Sequence, residues 1–171
     1  MITASVVSFF ATGLLSLVSN ELMNGIHIAA AVLVLAFFIL VGVLFDIIGL
    51  AVATAEEKQF HSMAARRIKS AKYAVKLIRN AEKVSSLCND IIGDIAGIMS
   101  GATGIAIAAV LFLTARTNLI GTFLITAGVA AMTVGGKALG KSVAINHSGD
   151  IVNIVSKVIY FFAGFKINKK K

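Results

Sequence analysis

Charged residues avoid four long stretches of this chain. Residues 2–19 carry none, and residues 26–55 run apolar except for His27 and Asp46. A third apolar run extends from 89 to 113 and a fourth from 119 to 136. A helix rises 1.5 Å per residue and a bilayer's hydrocarbon core is ~30 Å thick, so each run predicts a spanning helix. The run at 26–55 exceeds that thickness and should tilt or project beyond it. Residues 114–118 leave room only for a tight turn, which makes the last pair an antiparallel hairpin. Between the spans the period changes. Phe60, Ala64, Ile68, Ala71, Val75 and Ile78 recur three and four apart, the period of one helix face. Arg66, Lys69, Lys72, Lys76, Arg79 and Lys83 form another face, and Ile151, Ile154, Val155, Val158, Ile159 and Phe162 repeat the apolar pattern later. Such segments lie along a membrane surface, apolar side down. The plainer reading is a membrane-hugging belt with no chemistry of its own.

Composition agrees. The 171 residues are 58% hydrophobic and only 14% charged, with no Pro and no Trp, where a soluble domain carries about 25% charged residues. A soluble globule and a disordered tail are excluded. The net charge of +8 resembles the footprint of a nucleic-acid binder, but its distribution argues otherwise. Of 16 Lys and Arg, all but Arg116 fall between the second and third spans or from Lys137 onward. The positive-inside rule makes that side cytoplasmic, with both termini on it. No nucleic-acid partner is expected. Residues 1–19 lack the basic start of a signal peptide, which favours a retained span. Cys88 is the single cysteine and forms no internal disulfide.

Three acidic residues stand in costly places. An Asp at the centre of a spanning helix costs ~2.5–3.5 kcal/mol, less toward its ends. Asp46 lies within the second run; Asp90 and Asp94 open the third. At ~100° per residue, Asp90 and Asp94 share a face with Gly97, Gly101 and Gly104. Gly93, Gly97 and Gly101 repeat every fourth position, a surface suited to close helix packing. Gly42, Gly49 and Ala53 cluster likewise around Asp46. All three acids are therefore expected to point into the bundle. Converging carboxylates in low dielectric need a positive charge, and with Asn89 and backbone carbonyls they would form an all-oxygen cage. That chemistry suits Mg²⁺, Ca²⁺ or Mn²⁺ rather than Zn²⁺ or Cu⁺. The alternatives are protonated acids, or pairing with Lys137 or Lys141; near a helix N-terminus, the dipole also favours carboxylates. His27, His61 and His147 have no metal-ligand spacing. No nucleophile–base constellation is visible, so no enzyme is expected. The string from Gly135 to Ser142 fits G-x-x-x-x-G-K-[ST], yet it ends a membrane span without a preceding strand and is no phosphate loop.

Four segments together carry a resemblance. Phe45-Asp-Ile-Ile-Gly-Leu-Ala-Val-Ala-Thr54 is similar to the first spanning motif of the membrane domain shared by CNNM and CorB/CorC magnesium and cobalt transporters. The run from Ala64 to Lys83, with its Asn80-Ala-Glu-Lys83 turn, resembles that domain's cytoplasmic helical hairpin. Asn89-Asp-Ile-Ile-Gly-Asp94 resembles the Asn-rich start of the next span, and Gly136-Lys-Ala-Leu-Gly-Lys-Ser-Val-Ala-Ile-Asn146 its Gly-Glu-x-x-Pro-Lys-Ser/Thr-x-Ala motif. The similarity covers roughly residues 31–165. It implies a homodimer holding magnesium among three spans. Asp46 would take the first-span polar position, Asp90 and Asp94 those of two Asn ligands, and Gly136 would offer its carbonyl. Gly49, Lys137 and Gly140 depart from the Glu, Glu and Pro of the pattern.

The expectation is an all-α, multi-pass helical membrane protein of four transmembrane helices. Residues 1–25 would form an extra N-terminal span and short external loop. Residues 26–171 would form the CNNM/CorC-like domain, with cytoplasmic interfacial helices at 56–88 and 141–165. Function is expected to be Mg²⁺ or Co²⁺ transport in a bacterial cell membrane, through a site of Asp46, Asn89, Asp90, Asp94 and Gly136. The alternative is a non-transporting scaffold or accessory subunit of the same fold. No organic cofactor is expected. Room for the family's CBS pair is lacking, so any regulatory domain would come from a separate subunit.

Overall fold

The computed structural model of the chain describes residues 13, 28–112 and 119–168. In chain order they form α1 (Ile28–Thr54), α2 (Glu57–Ala65), α3 (Ala71–Arg79), α4 (Ala81–Ser86), a π-helical turn (Leu87–Gly93), α5 (Asp94–Phe112), α6 (Leu119–Asn146) and α7 (Ser148–Asn168). Apart from short turns the described residues are helical, and they contain no strand. Three segments are long and apolar enough to cross a membrane: Ile28–Thr54, Ala81–Leu111 and Ile120–Asn146. They match the second, third and fourth apolar runs. The first run at 2–19, the loop to residue 25 and the turn at 114–118 lie outside the described residues.

Two boundaries differ from expectation. The third segment begins at Ala81 rather than near 89, because the helix continues through the π-turn into α4. The fourth runs to Asn146, so residues 141–146 extend α6 instead of opening an interfacial helix; α7 begins at Ser148. Lys137 and Lys141 therefore sit on a continuous helix, Lys137 half-buried and Lys141 exposed.

The chain divides into two compact units, one comprising Met1–Leu44 with Ile91–Ala138, the other Phe45–Asp90 with Leu139–Lys171. The first is packed through small residues. A Cβ on Gly42 would lie 3.2 Å from the Ala96 Cβ, one on Gly104 3.0 Å from Val129, and one on Gly136 3.0 Å from Val43. These are the points of closest approach. At Gly97 and Gly101 an added Cβ would meet nothing within 4 Å, so of the seam expected along 93, 97 and 101 only Gly93 is buried against the rest of the unit. The buried side of α5 runs instead through Ala96, Met99, Ser100, Thr103, Ile107 and Ala108. A glycine contributes no side-chain atoms to dispersion, whereas Met99 and Ile107 do. Ser100 and Thr103 donate back to the Gly97 and Met99 carbonyls, each at 2.8 Å, satisfying their hydroxyls within α5.

The second unit is built around a core of Ala51, Val52, Ala55, Phe60, Ala74, Ala144 and Val152, bordered by Ile48, Leu77 and Ile151 among others. The apolar stripe from 60 to 78 is not one helix. It folds into a hairpin of α2 and α3, so Phe60 and Ala74 reach the same core from different helices. The break is a Schellman-type stop: Ile68 N–H donates to the Met63 carbonyl (3.2 Å) and Arg67 N–H to that of Ala64 (3.0 Å). Arg67 holds φ at 60°, the left-handed region glycine usually fills. Glu57 ties the hairpin shut, accepting hydrogen bonds from Arg79 Nε (2.7 Å) and sharing one with His61 Nε2 (2.9 Å). The Arg79 hydrogen bond, reinforced by His61, holds the exposed Glu57 carboxyl below its ordinary value. On α7, Val152 and Ser156 turn inward, while Ile154, Val158, Phe161 and Phe162 are exposed.

Candidate functional site

Asp46 is half-buried on α1, with Gly49 three residues on and so on the same helix face. The space that a side chain at 49 would fill is taken by Asn89. A Cβ there would collide with the Asn89 amide oxygen, and would lie 2.9 Å from its Cγ and 3.0 Å from the Cys88 Cβ. Asn89 Oδ1 is buried and has no hydrogen-bond partner. Cys88 is buried as well, and the Asp46 carboxylate is close enough to act on it electrostatically. Asp46, Gly49, Cys88 and Asn89 thus form one locality within the second unit. The π-turn supplies its far wall. Its i→i+5 bonding places an additional residue in the turn, a device that recurs at functional sites.

The remaining candidates are arranged differently. Asp90 is exposed and accepts a hydrogen bond from Ser86 Oγ at 2.7 Å. Asp94 is also exposed, in the first turn of α5, where the helix dipole favours a carboxylate. The expectation that both turn into the bundle is corrected. The buried face of α5 passes through Ala96 and Met99, each two residues on from Asp94 and Gly97 and so on nearly the opposite side of the helix. Gly136 is half-buried inside α6, where helix geometry commits its carbonyl to the backbone ladder. Its neighbour Lys137 directs Nζ to the Gly93 carbonyl at 3.5 Å. Asp46, Asn89 and Asp90 belong to one unit, Asp94 and Gly136 to the other.

Among the described residues, no three His, Cys, Asp or Glu side chains gather closely enough to hold a metal ion. Around Gly49 the structure gathers the Asn89 amide oxygen and the Cys88 side chain, with the half-buried Asp46 three residues earlier on α1. Sequence reasoning missed the seating of Asn89 over Gly49, although Gly49's departure from a Glu was its one visible signal. It also missed the bond from Ser86 to Asp90, a serine four residues before an acid. Comparison with protein-family models, with curated proteins and with solved structures gives no match for this chain.

Proposed function

We propose that this membrane protein passes a divalent cation, Mg²⁺ or Co²⁺, by way of Asp46 and Asn89. The observation that carries the reading is the orphaned Asn89 Oδ1 beside Gly49. A buried acceptor without a donor costs about 1–3 kcal/mol, and a cation attracted by the Asp46 carboxylate would give the Asn89 oxygen the partner it lacks. Such a site is all-oxygen, as hard cations require, and Mg²⁺ keeps several of its waters in sites with few protein ligands. Being exposed, Asp90 is assigned to attracting the ion rather than enclosing it. The proposal includes four spans, interfacial helices, a homodimer and a bacterial cell membrane with both termini cytoplasmic. The division at residue 25 and a separate regulatory subunit belong to it too.

The test combines binding and flux. Mg²⁺ and Co²⁺ should raise the melting temperature of the purified protein, as any ligand of the folded state does, and should enter proteoliposomes. Asp46→Asn and Asn89→Leu should each remove the thermal shift and the flux while the helical circular dichroism persists. A metal response unchanged in both variants would overturn the site.

The second reading is a scaffold or accessory subunit that transports nothing. The Lys137 ammonium beside the Gly93 carbonyl supports it, because a resident cation then stands where the transporter pattern has a Glu. A stable dimer with no metal-dependent shift would favour this reading.

A further inference from the structure

Within the second unit, α3, α4 and α7 border a groove of about 450 Å³. Its apolar wall is Tyr73, Leu77, Val84 and Ile159; its polar rim is Lys76, Asn80 and Lys83. Lys76 lies in the last turn of α3, Asn80 at the junction and Lys83 on α4, and all three are exposed. The depth of the groove can be read from the chain. Lys83 and Val84 fall in the first turn of Ala81–Leu111, a segment apolar enough to cross a membrane, which puts the groove where that segment begins. The protein has two tyrosines and no tryptophan. Tyr73 lines the groove, and the ring of Tyr160 lies beside it, centroids 6.0 Å apart. Tyrosine concentrates at the headgroup level of bilayers.

We propose that this groove holds an anionic phospholipid, its phosphate between Lys76 and Lys83 and the upper part of an acyl chain against Leu77, Val84 and Ile159. Two ammonium groups with no carboxylate on the rim select a net negative headgroup and repel a choline. The apolar wall excludes a free phosphate as the whole ligand. An acidic peptide would leave that wall uncovered at bilayer depth. On α7 the exposed Phe161 and Phe162 extend an apolar surface beyond Ile159. This inference needs only the membrane reading and stands apart from cation transport.

The test is native mass spectrometry of the full chain released from nanodiscs of phosphatidylcholine with phosphatidylglycerol. Wild type should keep phosphatidylglycerol in preference to phosphatidylcholine. Lys76→Gln with Lys83→Gln should weaken retention on the order of tenfold or more, since each basic residue near an anionic surface contributes about 1 kcal/mol, or roughly fivefold. The same charge change at the exposed Lys69 and Lys72, outside the groove, should leave retention unchanged. Ile159→Trp, which fills the groove without altering charge, should also displace the lipid. Inorganic phosphate should not compete. Equal loss from both lysine pairs would mean diffuse attraction and overturn the site. So would retention in Ile159→Trp, displacement by phosphate, or groove variants that alter oligomeric mass while lipid stays bound, the mark of a second copy as occupant.

Discussion

At Gly49 the missing side chain is a structural requirement, because the Asn89 amide lies where a Cβ would go. Gly49→Ala should push Asn89 aside at a cost of about 1–3 kcal/mol, the usual range for overpacking. If Asn89 serves the cation, the variant should also lose its metal-induced thermal shift; melting curves with and without Mg²⁺ separate the two effects. Arg67 makes the opposite case. A left-handed conformation costs an L-residue roughly 1–2 kcal/mol, so Arg67→Gly should stabilise the protein by up to about 1 kcal/mol once glycine's extra unfolded-state freedom is counted. Chemical denaturation in detergent measures it. Neither residue announces itself in the sequence. A glycine at 49 could be a packing point or a lost ligand, and an arginine at 67 hides a stop that a glycine would have marked.

The α2–α3 hairpin carries its own pH signature. Glu57 has a lowered pKa in the folded protein, chiefly through Arg79 and then His61, against an ordinary value of 4.5. Its contribution is therefore full above the unfolded pKa and is lost as pH falls through the folded one. Melting temperatures of wild type should converge on those of Glu57→Gln as pH drops below about 4.5 and diverge above it. Equal pH profiles would mean that the ion pair contributes nothing. Among the elements, the long apolar helices were legible because an uninterrupted run allows little else. The hairpin was not legible from periodicity, since Phe60 and Ala71 keep helical spacing across the break; only the family likeness suggested it. The direction of Asp90 and Asp94 was misjudged because spacing fixes which residues share a face, not which face packs. Side-chain bulk decided that, in favour of Met99 and Ile107.

For the molecule as a whole, charge asymmetry predicts a sidedness that chemistry can check. In a Cys88→Ala background, a cysteine placed at Lys69 should react with a membrane-impermeant maleimide only from the cytoplasmic side. One placed at Asn118 should react only from the opposite side. Labelling of both from one side would break the positive-inside assignment and, with it, the cytoplasmic placement of the termini. If all three helices long and apolar enough to cross a membrane do cross it, the chain makes an odd number of crossings between residues 28 and 146. The terminus before residue 28 shares a side with the C-terminus only if residues 2–19 also cross.

The helical hydroxyls have one more consequence. Thr54, Ser100, Thr103, Thr126, Thr133 and Ser156 all donate to carbonyls three or four residues back in their own helices. None of these bonds cross-links one helix to another. Apart from charged groups such as Lys137, which reaches the Gly93 carbonyl, cohesion between these helices then rests largely on fit between surfaces, the same kind of contact that acyl chains offer. Detergents and short-chain lipids should accordingly loosen the bundle without melting its helices, so near-ultraviolet signals and methyl resonances should fade well before far-ultraviolet ellipticity does.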